Sequence, residues 1–193
     1  MTNLDLFSRV IDFMLDNMGK TFSGASVVRF LKGQGRTQNI EQVYDYIRWL
    51  EEAFVVFRCQ RYDLRGKEIL VTQEKYYLSD HSLLYCLKGF RGTDTASVME
   101  NIVYLELRRR GYNVYVGKLY DKEIDFVAEK GKGLEKLYVQ VCRSMPSASD
   151  REIANLKAIR DDYQKVVVTL DKYGIDNVDG IRIIPLDRFL LDK

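Results

Sequence analysis

The sequence predicts an α+β chain in two parts. Residues 1–90 form a helical unit closed by a hairpin, 91–97 a linker, and 98–193 an α/β unit with a mixed central sheet flanked by helices. Three observations predict this. Apolar residues recur at helical spacing in three stretches before residue 55. Two runs rich in Val and Tyr then flank the turn Asp63-Leu64-Arg65-Gly66. After the small, polar stretch "RGTDTAS", helical and strand patterns follow in the order α-β-β-β-α-β-β-α.

In the first helix, Leu4, Phe7, Ile11, Met14 and Leu15 make the apolar stripe. Ser23 is placed to cap the second, and Gly33-Gln34-Gly35 to stop it. Asn39 and Gln42 have capping-box spacing at the third, whose stripe is Val43, Ile47, Leu50 and Phe54. Three helices and a hairpin are the order of a winged helix. Its third helix, "NIEQVYDYIRWLEE", has four acids and one arginine, unfavourable in a DNA groove. The hairpin is better supplied: Arg58, Arg61, Arg65 and Lys67 are the DNA-binding candidates, with Arg65 and Lys67 at its tip. Tyr44, Tyr46, Tyr76 and Tyr77 are assigned to packing.

The second unit opens with the helix "VMENIVYLELRRRG". Arg108, Arg109 and Arg110 fall in its last turn, where the helix dipole favours cations. They fan around the helix, so a helix-end role is preferred to joint phosphate contact. The strand "YNVYVG" and the hairpin "EIDFVAEKGKGLEKLYVQVCRS" come next. Ser149 and Glu152 have capping-box spacing at the helix "DREIANLKAIR". The strands "KVVVTL" and "IRIIPL" and a helix with Phe189 and Leu190 complete the chain. Strict alternation along the hairpin sends Ile124, Phe126, Val139 and Val141 to one face, and Glu123, Asp125, Gln140 and Cys142 to the other.

Composition narrows the function. The chain has 193 residues and a net charge of +2. Residues 1–90 hold 12 basic and 11 acidic side chains, and the remainder 18 and 17, so a nucleic-acid surface must be a local patch. No apolar run approaches the ~20 residues of a membrane helix. Scattered Cys59, Cys86 and Cys142 fit a reduced cytoplasm and, with one histidine, argue against a zinc site. His81, beside Asp80, is read as structural.

Glu100 on a helix, Asp125 on a second strand and a polar-X-polar pair on a third resemble the restriction-endonuclease-like PD-(D/E)XK motif. In that chemistry carboxylates hold Mg²⁺, and the metal stabilises phosphate charge and activates water. Gln140 and Cys142 stand where the motif has Glu and Lys. Gln is a neutral, weaker ligand, and Cys lacks the ammonium charge. The resemblance thus implies a vestigial site at Glu100, Asp125, Gln140 and Cys142. Mg²⁺ binding, through Glu100 and Asp125, would be weak, and no other cofactor is expected.

More narrowly, "ENIVYLELRRRGYNVYVGK", "EIDFVAE", "YVQV" and "GIRIIPLDRFLL" resemble the C-terminal domain of unknown function that follows a P-loop in prokaryotic AAA-superfamily ATPases. "YDLRGKEIL" and "EKYYLSD" are similar to the winged-helix part joining the two. No G-x-x-x-x-G-K-[ST] segment is present, so no ATP hydrolysis is expected, and the chain reads as a piece of a longer ATPase or a protein lacking the motor. The resemblance implies a non-catalytic DNA- or protein-binding unit, cytoplasmic and off the membrane, partnered by an ATPase module in cis or in trans. The alternative is an active metal-dependent nuclease with a migrated site, using Glu123, Glu152 or Lys157.

Overall fold

Two compact units emerge in a computed structural model describing residues 3–33, 35, 39–89, 91–144, 151–172 and 176–191. Met1–Cys59 with Val71–Phe90 make the first, and Gln60–Leu70 with Arg91–Lys193 the second.

The first unit contains helices α1 (Leu4–Asp16), α2 (Gly24–Gly33) and α3 (Ile40–Glu52). Asn3 caps α1 by accepting from the Leu6 amide at 3.1 Å. Leu6, Val10, Phe13, Met14 and Leu15 are the buried face, so Met14 and Leu15 of the expected stripe are buried while Leu4 is 74% exposed. The first helix therefore buries a stripe rotated from the expected one: its apolar residues cover a broad arc, and spacing alone does not choose the centre. Ser23 accepts from the Ser26 amide at 3.2 Å, as expected of a cap. At α3, Asn39 accepts from the Glu41 amide at 3.0 Å, but Gln42 turns to the Tyr46 hydroxyl at 3.3 Å. The expected capping box is thus half made. Val43, Ile47 and Leu50 are buried, whereas Phe54 lies beyond the helix at φ 55° and is 71% exposed. Strands β1 (Val56–Asp63) and β2 (Glu68–Leu78) follow, then α4 (Ser82–Lys88). His81 packs edge-on against Tyr85 at that helix's start, with ring centroids 5.9 Å apart.

In the second unit the expected order is found: α5 (Thr95–Arg109), β3 (Asn113–Leu119), β4 (Lys122–Lys130), β5 (Glu135–Cys142), α6 (Arg151–Lys157), β6 (Gln164–Thr169), β8 (Ile181–Pro185) and α7 (Leu186–Leu191). A short β7 (Asn177–Val178) is added before β8. Ser149, the expected cap of α6, lies outside the described residues.

The strands form one mixed sheet, in the order β2-β1-β3-β4-β5-β6-β8-β7. β4 runs antiparallel to both its neighbours, β3 and β5, and β7 antiparallel to β8; β1–β3, β5–β6 and β6–β8 are parallel. The hairpin's distal part, placed in the N-terminal unit by sequence, belongs to the second. Arg61, Tyr62 and Asp63 of β1 pair in parallel with Val116, Gly117 and Lys118 of β3. Helices cover both faces of the sheet. Tyr104 of α5 packs on Phe126, ring centroids 6.0 Å apart. On the other face Ile153 and Leu156 of α6 join Ile124, Val127, Tyr138 and Val167 in a fully buried cluster.

One irregularity reshapes the hairpin. Tyr115 pairs with Val127, but Gly117 pairs with Ile124, so two residues advance on β3 while three advance on β4. That is a β-bulge in β4. Ile124 and Val127 consequently share the α6 face, and Phe126 turns to α5. Strict alternation, which sends Ile124 and Phe126 the same way, fails here because one residue is added between the paired positions. Gly117 lies against the bulge, where a Cβ would come within 2.8 Å of both the Ile124 Cβ and the Val127 Cγ2.

Candidate functional site

The bulge positions Asp125. The β4–β5 ladder ends with the pair Phe126 and Val139, so the next residues, Asp125 and Gln140, stand where the strands part. There side chains replace backbone pairing. The Asp125 amide donates to Gln140 Oε1 at 2.6 Å, and the Val141 amide donates to Asp125 Oδ2 at 2.8 Å. Each strand's amide is satisfied by the other strand's side chain. Gln140 is 4% exposed, so an unsatisfied partner there would be costly.

Cys142 lies one alternation further along β5, opposite Thr169 of β6. Its thiol donates to the Ser144 carbonyl at 3.0 Å. Burial pushes the thiol up to about 12; the Thr169 hydroxyl pulls it down, and the Glu152, Asp125 and Asp171 carboxylates push it up again. At neutral pH the group is therefore a protonated thiol in an acidic neighbourhood. It is neither a cation like lysine nor an activated nucleophile.

The sequence-derived candidates divide. Asp125, Gln140, Cys142 and Glu152 come together at the parting of β4 and β5 and the start of α6. Glu100 lies in the second turn of α5, half-buried. Glu123 faces Arg61 instead, their charged groups 2.6 Å apart, and Arg61 is 7% exposed. Arg61 is thus an internal partner of β4, not a surface cation for DNA. Arg58 is 3.6 Å from Glu51. Lys157 is held by Asp179 at 2.8 Å. It follows Glu152 by five residues, about 140° around the helix, so both cannot serve one point. Arg65 and Lys67 sit exposed at the hairpin tip.

The arginine triplet behaves as a helix end. Arg109 donates to both Glu106 oxygens at 2.6 and 2.8 Å, and Arg110 to Oε1 at 2.6 Å. Arg108 donates to the Tyr104 hydroxyl at 2.9 Å. Glu106 is 6% exposed, and the Arg109 hydrogen bonds hold its carboxyl below the usual range despite burial.

Sequence reasoning missed Thr169 and Asp171. The available signal was Thr-X-Asp directly after the apolar run "KVVV", at the end of a strand parallel to β5.

The donor set does not fit Mg²⁺. One Asp125 oxygen and the Gln140 oxygen already accept from amides, Gln140 carries no charge, and Cys142, at the motif's lysine position, offers a protonated thiol and no oxygen. Among the described residues no three His, Cys, Asp or Glu side chains are grouped to hold a metal ion. No helix among them is long and apolar enough to cross a membrane.

Residues 95–176 match the family model described as "Restriction endonuclease", and residues 1–94 match a domain of unknown function, DUF8612. The second unit therefore contains a restriction-endonuclease-like domain. An uncharacterized protein of Haemophilus influenzae is 38% identical over 186 residues, covering 96% of this chain and 46% of its own length. Uncharacterized protein MJ1544 of Methanocaldococcus jannaschii is 27% identical over 156 residues, covering 78% of this chain and 34% of its own. The chain thus spans less than half the length of these curated relatives. No solved structure matches it.

Proposed function

We propose that the restriction-endonuclease-like domain has given up hydrolysis and works as a binding unit for DNA. The observation that carries this is the fate of the motif. Asp125 spends one carboxylate oxygen and Gln140 its amide oxygen on backbone amides, and Cys142 is a neutral thiol where a lysine would stand. A phosphodiester bound there would meet neither a charged metal pair nor a cation to polarise water.

The first unit acts, in this reading, as a winged helix, supported by its order of three helices and a hairpin. The chain works beside an ATPase module in the same or a partner polypeptide. That is supported by the sequence resemblance and by relatives more than twice as long as the matched region. The migrated-site alternative has one support, Glu152 near Cys142. Its proposed lysine is engaged elsewhere, by Asp179.

The test is incubation of the chain with supercoiled plasmid and single-stranded DNA in Mg²⁺ or Mn²⁺. Binding without cleavage is expected. Cleavage abolished by Glu100→Ala and Asp125→Ala would overturn the non-catalytic assignment, and cleavage abolished by Glu152→Ala would establish the migrated site.

A further inference from the structure

Wholly within the second unit is a groove of about 810 Å³, on the face of the sheet that α6 covers. Six cations line it: Arg65 and Lys67 from the hairpin tip, Lys122 from β4, Lys136 from β5, Lys157 from α6 and Arg160 just beyond it. The one carboxylate in the lining is Asp161, whose Oδ2 already accepts from the Tyr138 hydroxyl at 2.6 Å. Lys157 is paired with Asp179, and Lys136 stands 3.5 Å from Glu129. Arg65, Lys67, Lys122 and Arg160 have no carboxylate partner among the described residues. In a chain with a net charge of +2, this is a local concentration of positive charge.

Tyrosines are set among these cations. Tyr62, Tyr120, Tyr138 and Tyr163 all line the groove. Tyr120 is 61% exposed and holds φ 58°, a left-handed turn position where glycine or asparagine is ordinary. The Arg65 guanidinium lies 4.5 Å over its ring. Tyr163 is 40% exposed, and the Lys136 ammonium lies 5.6 Å from its ring and 5.0 Å from that of Tyr62. Exposed rings set among cations, four of them without a carboxylate partner among the described residues, offer a stacking surface for bases and a track for phosphates. A duplex keeps its base faces stacked internally and cannot use those rings along its length. None of Glu100, Asp125, Gln140 or Cys142 lines the groove.

We infer that this groove binds a single strand of nucleic acid, its phosphates on Arg65, Lys67, Lys122 and Arg160 and its bases against Tyr120 and Tyr163. The inference rests on the reading above of a unit that binds without cutting, and adds where and what it binds.

The test is fluorescence anisotropy of the full chain with a labelled thymidine 12-mer, its duplex with deoxyadenosine, and unlabelled thymidine monophosphate as competitor, all in EDTA. The single strand should bind more tightly than the duplex. With four phosphates neutralised, the log–log salt slope should be about −3, or roughly 50-fold weaker binding from 50 to 200 mM salt. Tyr120→Ala, Tyr163→Ala and the double variant Lys122→Gln with Arg160→Gln should each weaken binding about 10-fold or more. Lys172→Gln, outside the groove, should leave it unchanged. Each variant's thermal melt must match the wild type; Tyr120→Leu, which keeps apolar bulk, replaces any that does not. No binding of the strand, equal binding of duplex, or competition by the monophosphate at equal nucleotide concentration overturns the inference. So does strand binding that survives the groove variants, but that result leaves DNA binding standing. Cleavage in the separate Mg²⁺ assay would instead defeat the non-catalytic reading.

Discussion

Replacing Asp125 with alanine asks what the surviving motif carboxylate does. In the folded chain its Oδ2 accepts from the Val141 amide at 2.8 Å, at the point where β4 and β5 have stopped pairing. A carboxylate acceptor makes a charge-assisted bond, contributing about 1.5–3 kcal/mol. Alanine leaves the Val141 amide without that acceptor in a partly buried place, while the Gln140 bond to the Asp125 amide survives because it uses backbone. The expected loss is therefore about 2 kcal/mol, and about 1 kcal/mol for Asp125→Asn, which keeps a neutral acceptor. Global unfolding of a two-unit chain is a blunt reporter. Hydrogen exchange at the Val141 amide is the sharper assay, and 2 kcal/mol corresponds to about 30-fold faster exchange if local opening dominates. Unchanged Val141 protection in Asp125→Ala, together with Mg²⁺ binding by the wild type that the variant loses, would refute the reasoning. The carboxylate would then be a metal ligand and not a strut between strands.

Other outcomes follow from the same geometry. Gly117→Ala should destabilise the chain by about 1–3 kcal/mol in thermal melts, because the new Cβ meets Ile124 and Val127 at 2.8 Å. Cys142, with its thiol pushed up to about 12, should resist maleimide at pH 8, where about one molecule in ten thousand is thiolate, while exposed Cys86 labels; peptide mass spectrometry reads both. Glu106, held below the usual carboxylate range, contributes stability above its unfolded value that is lost as pH falls through its lower folded value. Acid titration of unfolding should show this, and Glu106→Gln should flatten it at a cost of about 2 kcal/mol, moderated because Arg109 is solvent-exposed. Gln140→Glu combined with Cys142→Lys should restore the motif, since the carboxylates that oppose thiolate formation favour an ammonium. Calorimetric Mn²⁺ binding gained only by the double variant is the expected result.

The sequence carried the order of elements and the Asp125, Gln140 and Cys142 positions, because period and turn residues are local signals. What it hid depends on residues remote in the chain. The bulge in β4 leaves no mark in "EIDFVAE", yet it turns Phe126 to the face opposite Ile124. Arg61 looked like a surface cation until β1 was placed beside β3 and Glu123 came within 2.6 Å. Leu4 and Leu6 both fit a helical stripe, and only packing chose Leu6. The groove was the least legible feature. Lys122, Lys136 and Arg160 each read as ordinary surface charge until the fold gathered them with the hairpin tip.

The hairpin that leaves the first unit to lie along β3 makes the chain hard to divide. The matches to the two family models meet between residues 94 and 95, an inviting place to cut. A polypeptide starting there would lack Arg61, Tyr62 and Asp63, the parallel partners of Val116, Gly117 and Lys118. Val116, fully buried in the intact chain, would sit on an open sheet margin, and Glu123 would keep its charge without Arg61. Such a margin recruits strands from other copies. The expected fate of the severed half is self-association, which addition of a peptide spanning residues 56–70 should suppress.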